Sequence, residues 1–106
     1  MRLTIENGAL YVNNHFTCYA GVQHGSPSLQ PGKYAVTPQY SHAHGKDLPY
    51  AIGLGYIGAD AECHIILGRV LAKHGCIPCP SSLAQVMAKI EVAEDDGKEI
   101  TLEIKC

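Results

Sequence analysis

Hydrophobic and polar positions alternate with a period of two at Leu3–Ile5 and at Ile100–Ile104, a pattern typical of β-strands with one buried face, and other short apolar segments lie between turn signals. Tight turns separate the first three such segments, since Asn7-Gly8 and Asn13-Asn14 favour two-residue hairpins. Pro38 interrupts the fourth and indicates a sheet edge or a bulge. The pattern predicts about seven strands: Leu3–Ile5, Ala9–Val12, His15–Tyr19, Lys33–Tyr40, Leu48–Tyr56, Ala61–Leu67 and Ile100–Ile104.

One segment shows helical periodicity instead. Its apolar residues recur at i, i+3, i+4 and i+7, on one helical face: Leu83, Val86, Met87 and Ile90. Ser82 and Gln85 fit a capping box, which predicts a helix start at Ser82 or Leu83, and Asp95-Asp96-Gly97 predicts its closing turn. The expected fold is therefore mainly β (α+β), a compact mixed sheet or barrel-like domain over residues 1–106 with one packed helix.

Composition excludes several function classes. The 106 residues carry a formal net charge of −2, so no basic face for nucleic acid is expected. No apolar run approaches the roughly 20 residues of a membrane span, and the first residues resemble no signal peptide. We therefore expect a protein that is cytoplasmic as synthesised. Five cysteines are an odd number, which favours reduced thiols over a disulfide scaffold, and Cys18 and Cys63 fit buried apolar positions.

Candidate chemistry concentrates at His74-Gly75-Cys76. A thiolate is the reactive form of cysteine, and a nearby imidazole is the usual means of generating it near neutral pH. His64 lies twelve positions before Cys76, on a predicted strand from which a return loop can bring it to the thiol. Gly75 leaves the backbone bare, so that main-chain N–H groups can hold a substrate oxyanion.

Two other functions use Cys76 together with Cys79. A Cys-x-x-Cys pair is typical of thioredoxin-like redox sites, although those begin a helix in a strand–helix–strand context. The same spacing supplies half of a zinc site, for which His42 and His44 could be the other ligands. Our main interpretation uses neither, and it predicts no cofactor and no metal.

The His64 to His74-Gly75-Cys76-Ile77 arrangement resembles the L,D-transpeptidase catalytic domain, in which a strand histidine precedes Ser/Thr-His-Gly-Cys. It resembles more closely a group of small phage-associated and bacterial domains that look like miniature transpeptidases. Those carry a Pro-x-Gly-x-Tyr strand, a Leu-Pro segment, an Ile-His-x-Gly stretch, Gly-Cys-Ile, a helix and a terminal Ile-Thr-Leu-x-Ile strand. The corresponding segments of this chain follow in the same order: Leu29–Tyr34, Leu48-Pro49, His64, Gly75-Cys76-Ile77 and Ile100–Ile104. This chain departs from the larger family in having lysine at position 73, a shorter interval from histidine to cysteine, and three bulky apolar residues after His64 in place of a small residue or glycine.

The resemblance implies an enzyme that acts on peptidoglycan stem peptides. Cys76 would be the nucleophile and His64 the general base, while Gly75 would help to hold the oxyanion and His74 would shape the pocket. Arg69 and Lys73 either attract the carboxylates of the substrate or are solvated loop charges. The products would be those of a transpeptidase or a carboxypeptidase.

This substrate lies outside the cytoplasmic membrane, so a phage, a lysis step or a secretion apparatus would have to deliver the protein to the periplasm. A non-catalytic binding module on the same fold is the alternative. The oligomeric state stays open.

Overall fold

The computed structural model describes residues 1–22, 30–60, 62–72 and 75–105, and the fold is mainly β with one helix. Within these residues the elements in chain order are β1 (Arg2–Glu6), β2 (Ala9–Val12), β3 (His15–Val22), β4 (Gly32–Ser41), β5 (Lys46–Ala51), β6 (Gly55–Gly58), β7 (Ile65–Ala72), β8 (Gly75–Pro78), α1 (Pro80–Asp95) and β9 (Thr101–Lys105). The predicted fold class is confirmed.

Eight strands close into a barrel in the order β3-β2-β1-β9-β4-β5-β6-β7. The closing pair is antiparallel and joins β3 to β7, with Tyr19 opposite Gly68 and Val22 opposite Ile65. Two pairs are parallel, β1 with β9 and β6 with β7. The remaining strand, β8, pairs with the second half of β7 and lies outside the barrel order.

The predicted hairpins are confirmed by the backbone. Asn7 and Gly8 have φ angles of 52° and 75°, and Asn13 and Asn14 have φ angles of 50° and 71°. Positive φ at both central residues is the type I′ geometry that matches the twist of the flanking strands. Pro38 lies opposite Pro49 in the β4–β5 pair, beyond the residues of β4 that pair with β9. It thus occupies the edge position that its missing N–H requires.

The barrel and the helix share one hydrophobic core. Helix α1 packs against β3, β5 and β7 and buries Leu83, Val86, Ile90 and Ala93. Each fully buried aliphatic side chain contributes on the order of 2 kcal/mol. The largest such residues of the barrel are Leu3, Leu10, Leu48, Ile65, Leu67 and Leu102.

The segment around the site differs from the predicted strands. The structure splits the predicted strand 48–56 into β5 and β6, and β7 begins at Ile65 and continues to Ala72 through the predicted return loop. Cys76 lies in strand β8 and pairs with Leu71. A β-hairpin therefore connects the His64 region to Cys76, because the second half of β7 finds a partner strand that the local pattern did not show.

The helix also begins earlier than its capping box predicts. Pro80 is the first helical residue and Cys79 the N-cap, so Ser82 and Gln85 lie inside the helix. Proline is favoured in the first helical turn because its missing N–H has no partner there in any case. The helix ends at Asp95, and Gly97 follows with a φ of 71°, as its turn signal predicts.

Candidate active site

The sulfur of Cys76 lies in a niche built from main-chain groups. Its Sγ donates to the carbonyl oxygen of Ile66 at 3.1 Å and lies 3.9 Å from the carbonyl oxygen of Tyr19. A side chain at Gly68 would place its Cβ 2.6 Å from this sulfur and against the carbonyl oxygen of Ile77. A Cβ at Gly21 would lie 3.3 Å from the Cys76 nitrogen. Strand β8 therefore crosses the outer side of β7 and β3 where two glycines leave room.

We expect Gly68→Ala to lower the free energy of unfolding by about 3 kcal/mol, because the new methyl group overlaps backbone and sulfur that cannot both move away. Gly21→Ala has a longer closest contact, so its cost is expected to be smaller. Urea unfolding of both variants tests this order. Equal stability of Gly68→Ala and the wild-type protein would show that β8 does not lie against Gly68.

Cys76 is the one partly exposed thiol among the four cysteines in the described residues; Cys18, Cys63 and Cys79 are buried. Burial raises the pKa of Cys76 above its ordinary value, and the Gly21 N–H offsets part of this effect. The thiol is therefore protonated at rest, in agreement with its donation to Ile66. Its use as a nucleophile requires a base that removes the proton during attack.

His64 lies immediately before β7 and is exposed. Its backbone N–H donates to the Tyr56 carbonyl at 3.1 Å, and its ring covers the bare Cα of Gly55, where φ is 123°. Alternation along the strand buries Ile65 and puts His64 on the same outer side as Gly68, and thus as the sulfur of Cys76. No hydrogen bond in the described part of the chain joins the His64 ring to Cys76.

Of the other predicted site residues, Gly75 and Arg69 lie within the described part of the chain. Gly75 begins β8 and pairs with Ala72. Arg69 is directed to Cys79, with 3.1 Å between its Nε and the Cys79 sulfur. Lys73 and His74 lie outside the described residues.

Cys79 is an unexpected low-pKa thiol. Its sulfur lies 3.0 Å from the Ser81 hydroxyl, and hydrogen bonding by Ser81, then Ser82, and also Arg69 lowers its pKa to about 6. Burial instead raises the pKa of Cys18 to about 11. Low-pKa cysteines commonly occur at helix N-termini and beside arginine, so the sequence signal was the cysteine directly before Pro80 and the helix.

The strand conformation of β8 separates Cys76 from Cys79. Residues three apart in an extended strand have Cα atoms about 10 Å apart. A disulfide requires Cα atoms within roughly 7 Å. The conformation thus does not favour the redox pair, nor a zinc site that uses both thiols.

Ionised Cys79 is expected to make stability depend on pH. Its folded pKa of about 6 lies below the ordinary value of 9.0, so the stabilisation is fully present above pH 9 and is lost as the pH falls to about 6. The difference in unfolding free energy between wild type and Cys79→Ala should therefore increase from pH 6 to pH 9. Cys18→Ala is the control, because a folded pKa of about 11 leaves its difference flat up to about pH 8. A flat Cys79→Ala difference would contradict the ionised thiol.

Comparison of the chain with protein-family models, with curated proteins and with solved structures gives no match. No helix in the described ranges is both long and apolar enough to cross a membrane. The assignment of a function therefore depends on the residues and their geometry.

Proposed function

We propose that this protein is an L,D-transpeptidase-like cysteine acyltransferase or carboxypeptidase that acts on peptidoglycan stem peptides. The observation that carries the proposal is the partly exposed residue Cys76, whose sulfur lies in a main-chain niche with His64 on the same outer side of β7. The family resemblance of the His64 to Cys76 segment supplies the substrate class.

The proposed first step cleaves the bond between an L-centre, such as that of meso-diaminopimelate, and the following D-alanine. The Cys76 sulfur attacks the carbonyl carbon as His64 takes the thiol proton. The C–N bond then breaks, the proton passes to the departing amine of D-alanine, and a thioester remains on Cys76. An amine acceptor completes transpeptidation, and water completes carboxypeptidase action.

Main-chain N–H groups stabilise the developing oxyanion in this proposal. The Cys76 nitrogen, which lies beside Gly21, is a candidate donor because it belongs to the same residue as the sulfur. Loss of one such donor typically costs a hundredfold or more in rate, so these N–H groups are expected to supply a large part of the rate enhancement.

An aromatic row adjoins the niche and offers a surface for substrate. Tyr11, Phe16 and Tyr19 pack edge to face, with ring centroids 6.0 and 5.3 Å apart, and Phe16 is 54% exposed. The row reaches the thiol at Tyr19, whose carbonyl oxygen lies near the Cys76 sulfur. An exposed row of this kind is a platform on which the apolar parts of a substrate can pack.

Peptidoglycan as substrate also implies export. The substrate lies outside the cytoplasmic membrane, and the proposal therefore includes delivery to the periplasm by a phage, a lysis step or a secretion apparatus.

The direct test incubates the purified protein with disaccharide-tetrapeptide muropeptides, with and without an added D-amino acid as acceptor. Mass spectrometry should show loss of D-alanine without the acceptor, and exchange of D-alanine for the acceptor when it is present. Unchanged muropeptides under both conditions would refute the enzymatic function on this substrate.

A binding module on the same fold is the second candidate. The observation that favours it is the raised pKa of Cys76, whose thiol already has a carbonyl partner. The same incubation separates the two functions when muropeptide binding is measured by calorimetry. Binding without any change in muropeptide mass would select the binding module.

A further inference from the structure

Three metal-binding side chains meet on the β4–β5 side of the molecule, in a cluster formed by His44, Asp60 and Cys63. One ligand atom from each lies within 4.8 Å of the others. The Cys63 sulfur is 3.8 Å from His44 Nε2 and 3.7 Å from Asp60 Oδ1, and His44 Nε2 is 2.6 Å from Asp60 Oδ2. We propose that this cluster is a zinc-binding site with three protein ligands.

The histidine is already oriented for such a role. Ser41, only 4% exposed, places its Oγ 2.8 Å from His44 Nδ1, which leaves Nε2 directed at Asp60 and Cys63. Zinc-bound histidines almost always have a hydrogen-bond partner on the other ring nitrogen, which fixes the ring orientation. Ser41 supplies that partner.

The thiol is held by the fold rather than by a mobile loop. Cys63 is fully buried, and its sulfur contacts Gly58 at a position that a Cβ would fill. Its backbone N–H also donates to the Asp60 carbonyl at 3.2 Å, which joins two of the three ligands in one turn. Two ligand residues thus have their spacing set by backbone.

The two sulfur distances are close to those of a tetrahedral zinc site. Zinc bond lengths place a sulfur about 3.6 Å from a nitrogen or oxygen ligand, and a nitrogen about 3.4 Å from an oxygen. The Cys63 sulfur lies 3.8 Å from His44 Nε2 and 3.7 Å from Asp60 Oδ1. Asp60 contacts His44 through its other oxygen, Oδ2, at 2.6 Å, so ligation by one carboxylate oxygen requires the carboxylate to turn, and its side chain is 49% exposed.

All three ligand residues line a cleft of about 300 Å³, which Pro80, Leu83 and Met87 of helix α1 also line. Three protein ligands and an open position that water can fill are the arrangement of zinc sites at which bound water is activated. The cluster uses neither Cys76 nor Cys79, so this inference is independent of the proposed acyl transfer.

The experiment titrates the metal-free protein with Zn²⁺ alone and measures stoichiometry by native mass spectrometry and affinity by calorimetry. One zinc ion per chain is expected. Asp60→Asn should weaken binding by more than about a hundredfold, and Ser41→Ala by about ten- to a hundredfold. Asp47→Asn is the matched control, because it removes the same charge from an exposed residue of the same cleft and should leave the affinity unchanged.

Co²⁺ substitution identifies the thiol. A thiolate-to-cobalt charge-transfer band should be present in wild type and in Cys76→Ser, and absent in Cys63→Ser. If Cys63→Ser does not fold, Asp60→Asn still tests the site, since its side chain is half exposed. Absence of stoichiometric zinc would overturn the proposal. A charge-transfer band that is lost in Cys76→Ser and kept in Cys63→Ser would overturn it as well.

Discussion

We expect Cys76→Ala to reduce turnover of stem peptides at least about a thousandfold, to the background of the assay. Removal of a catalytic nucleophile typically costs this much or more, because no other group takes over the covalent step. The substitution should leave the fold intact, since alanine is smaller than cysteine and the niche around the sulfur consists mainly of backbone. The measurement is D-alanine release from a muropeptide by mass spectrometry.

Cys79→Ala is the control for this variant. Its thiol has a pKa of about 6 and therefore is the stronger nucleophile of the pair at rest, but it is buried against Arg69 and Ser81. It should retain activity within about tenfold of wild type. If instead Cys79→Ala abolished turnover and Cys76→Ala kept it, the nucleophile would be Cys79.

His64→Gln should reduce kcat/KM by about a hundred- to ten-thousandfold, the usual contribution of a general base. The protonated, partly buried Cys76 thiol needs such a base more than an ionised thiol would. The His64 ring covers Gly55 and has no hydrogen bond to Cys76 in the described residues, so the proposed mechanism requires the ring to approach the sulfur when substrate binds. Glutamine preserves a polar side chain of similar length beside Gly55 but cannot accept the proton.

Two further measurements separate a general base from a structural role. Added imidazole should restore part of the activity of His64→Gln, which a merely structural defect would not allow. His42→Gln is the matched control, because His42 is an exposed histidine whose ring packs on Tyr40. Full activity of His64→Gln would remove His64 from the mechanism.

Local sequence signals predicted the meander and the last strand well. Asn7-Gly8 and Asn13-Asn14 specify their turns through positive φ, which needs no information from the rest of the chain. The β7–β8 hairpin was missed because its pairing depends on contact across β3 and on the space above Gly68. Contacts between residues distant in sequence decide such pairings, and a periodicity within one segment does not show them.

The motif singled out Cys76, which the structure shows partly exposed, and its role as a nucleophile stays a prediction. The buried position predicted for Cys63 is confirmed, but its neighbours His44 and Asp60 come from turns that only the closed barrel brings together. The low pKa of Cys79 comes first from hydrogen bonding by Ser81 and Ser82 in the helix that follows it, and in smaller part from Arg69 on β7.

The most direct measurement is the site of covalent attachment during turnover. Wild-type protein mixed with a disaccharide tetrapeptide and quenched in acid should carry the acyl group, with D-alanine lost, as a thioester on Cys76. Fragment-ion mapping distinguishes Cys76 from Cys79 in the same peptide. An acyl group on another residue, or turnover with no covalent adduct at any quench time, would contradict the role assigned to Cys76.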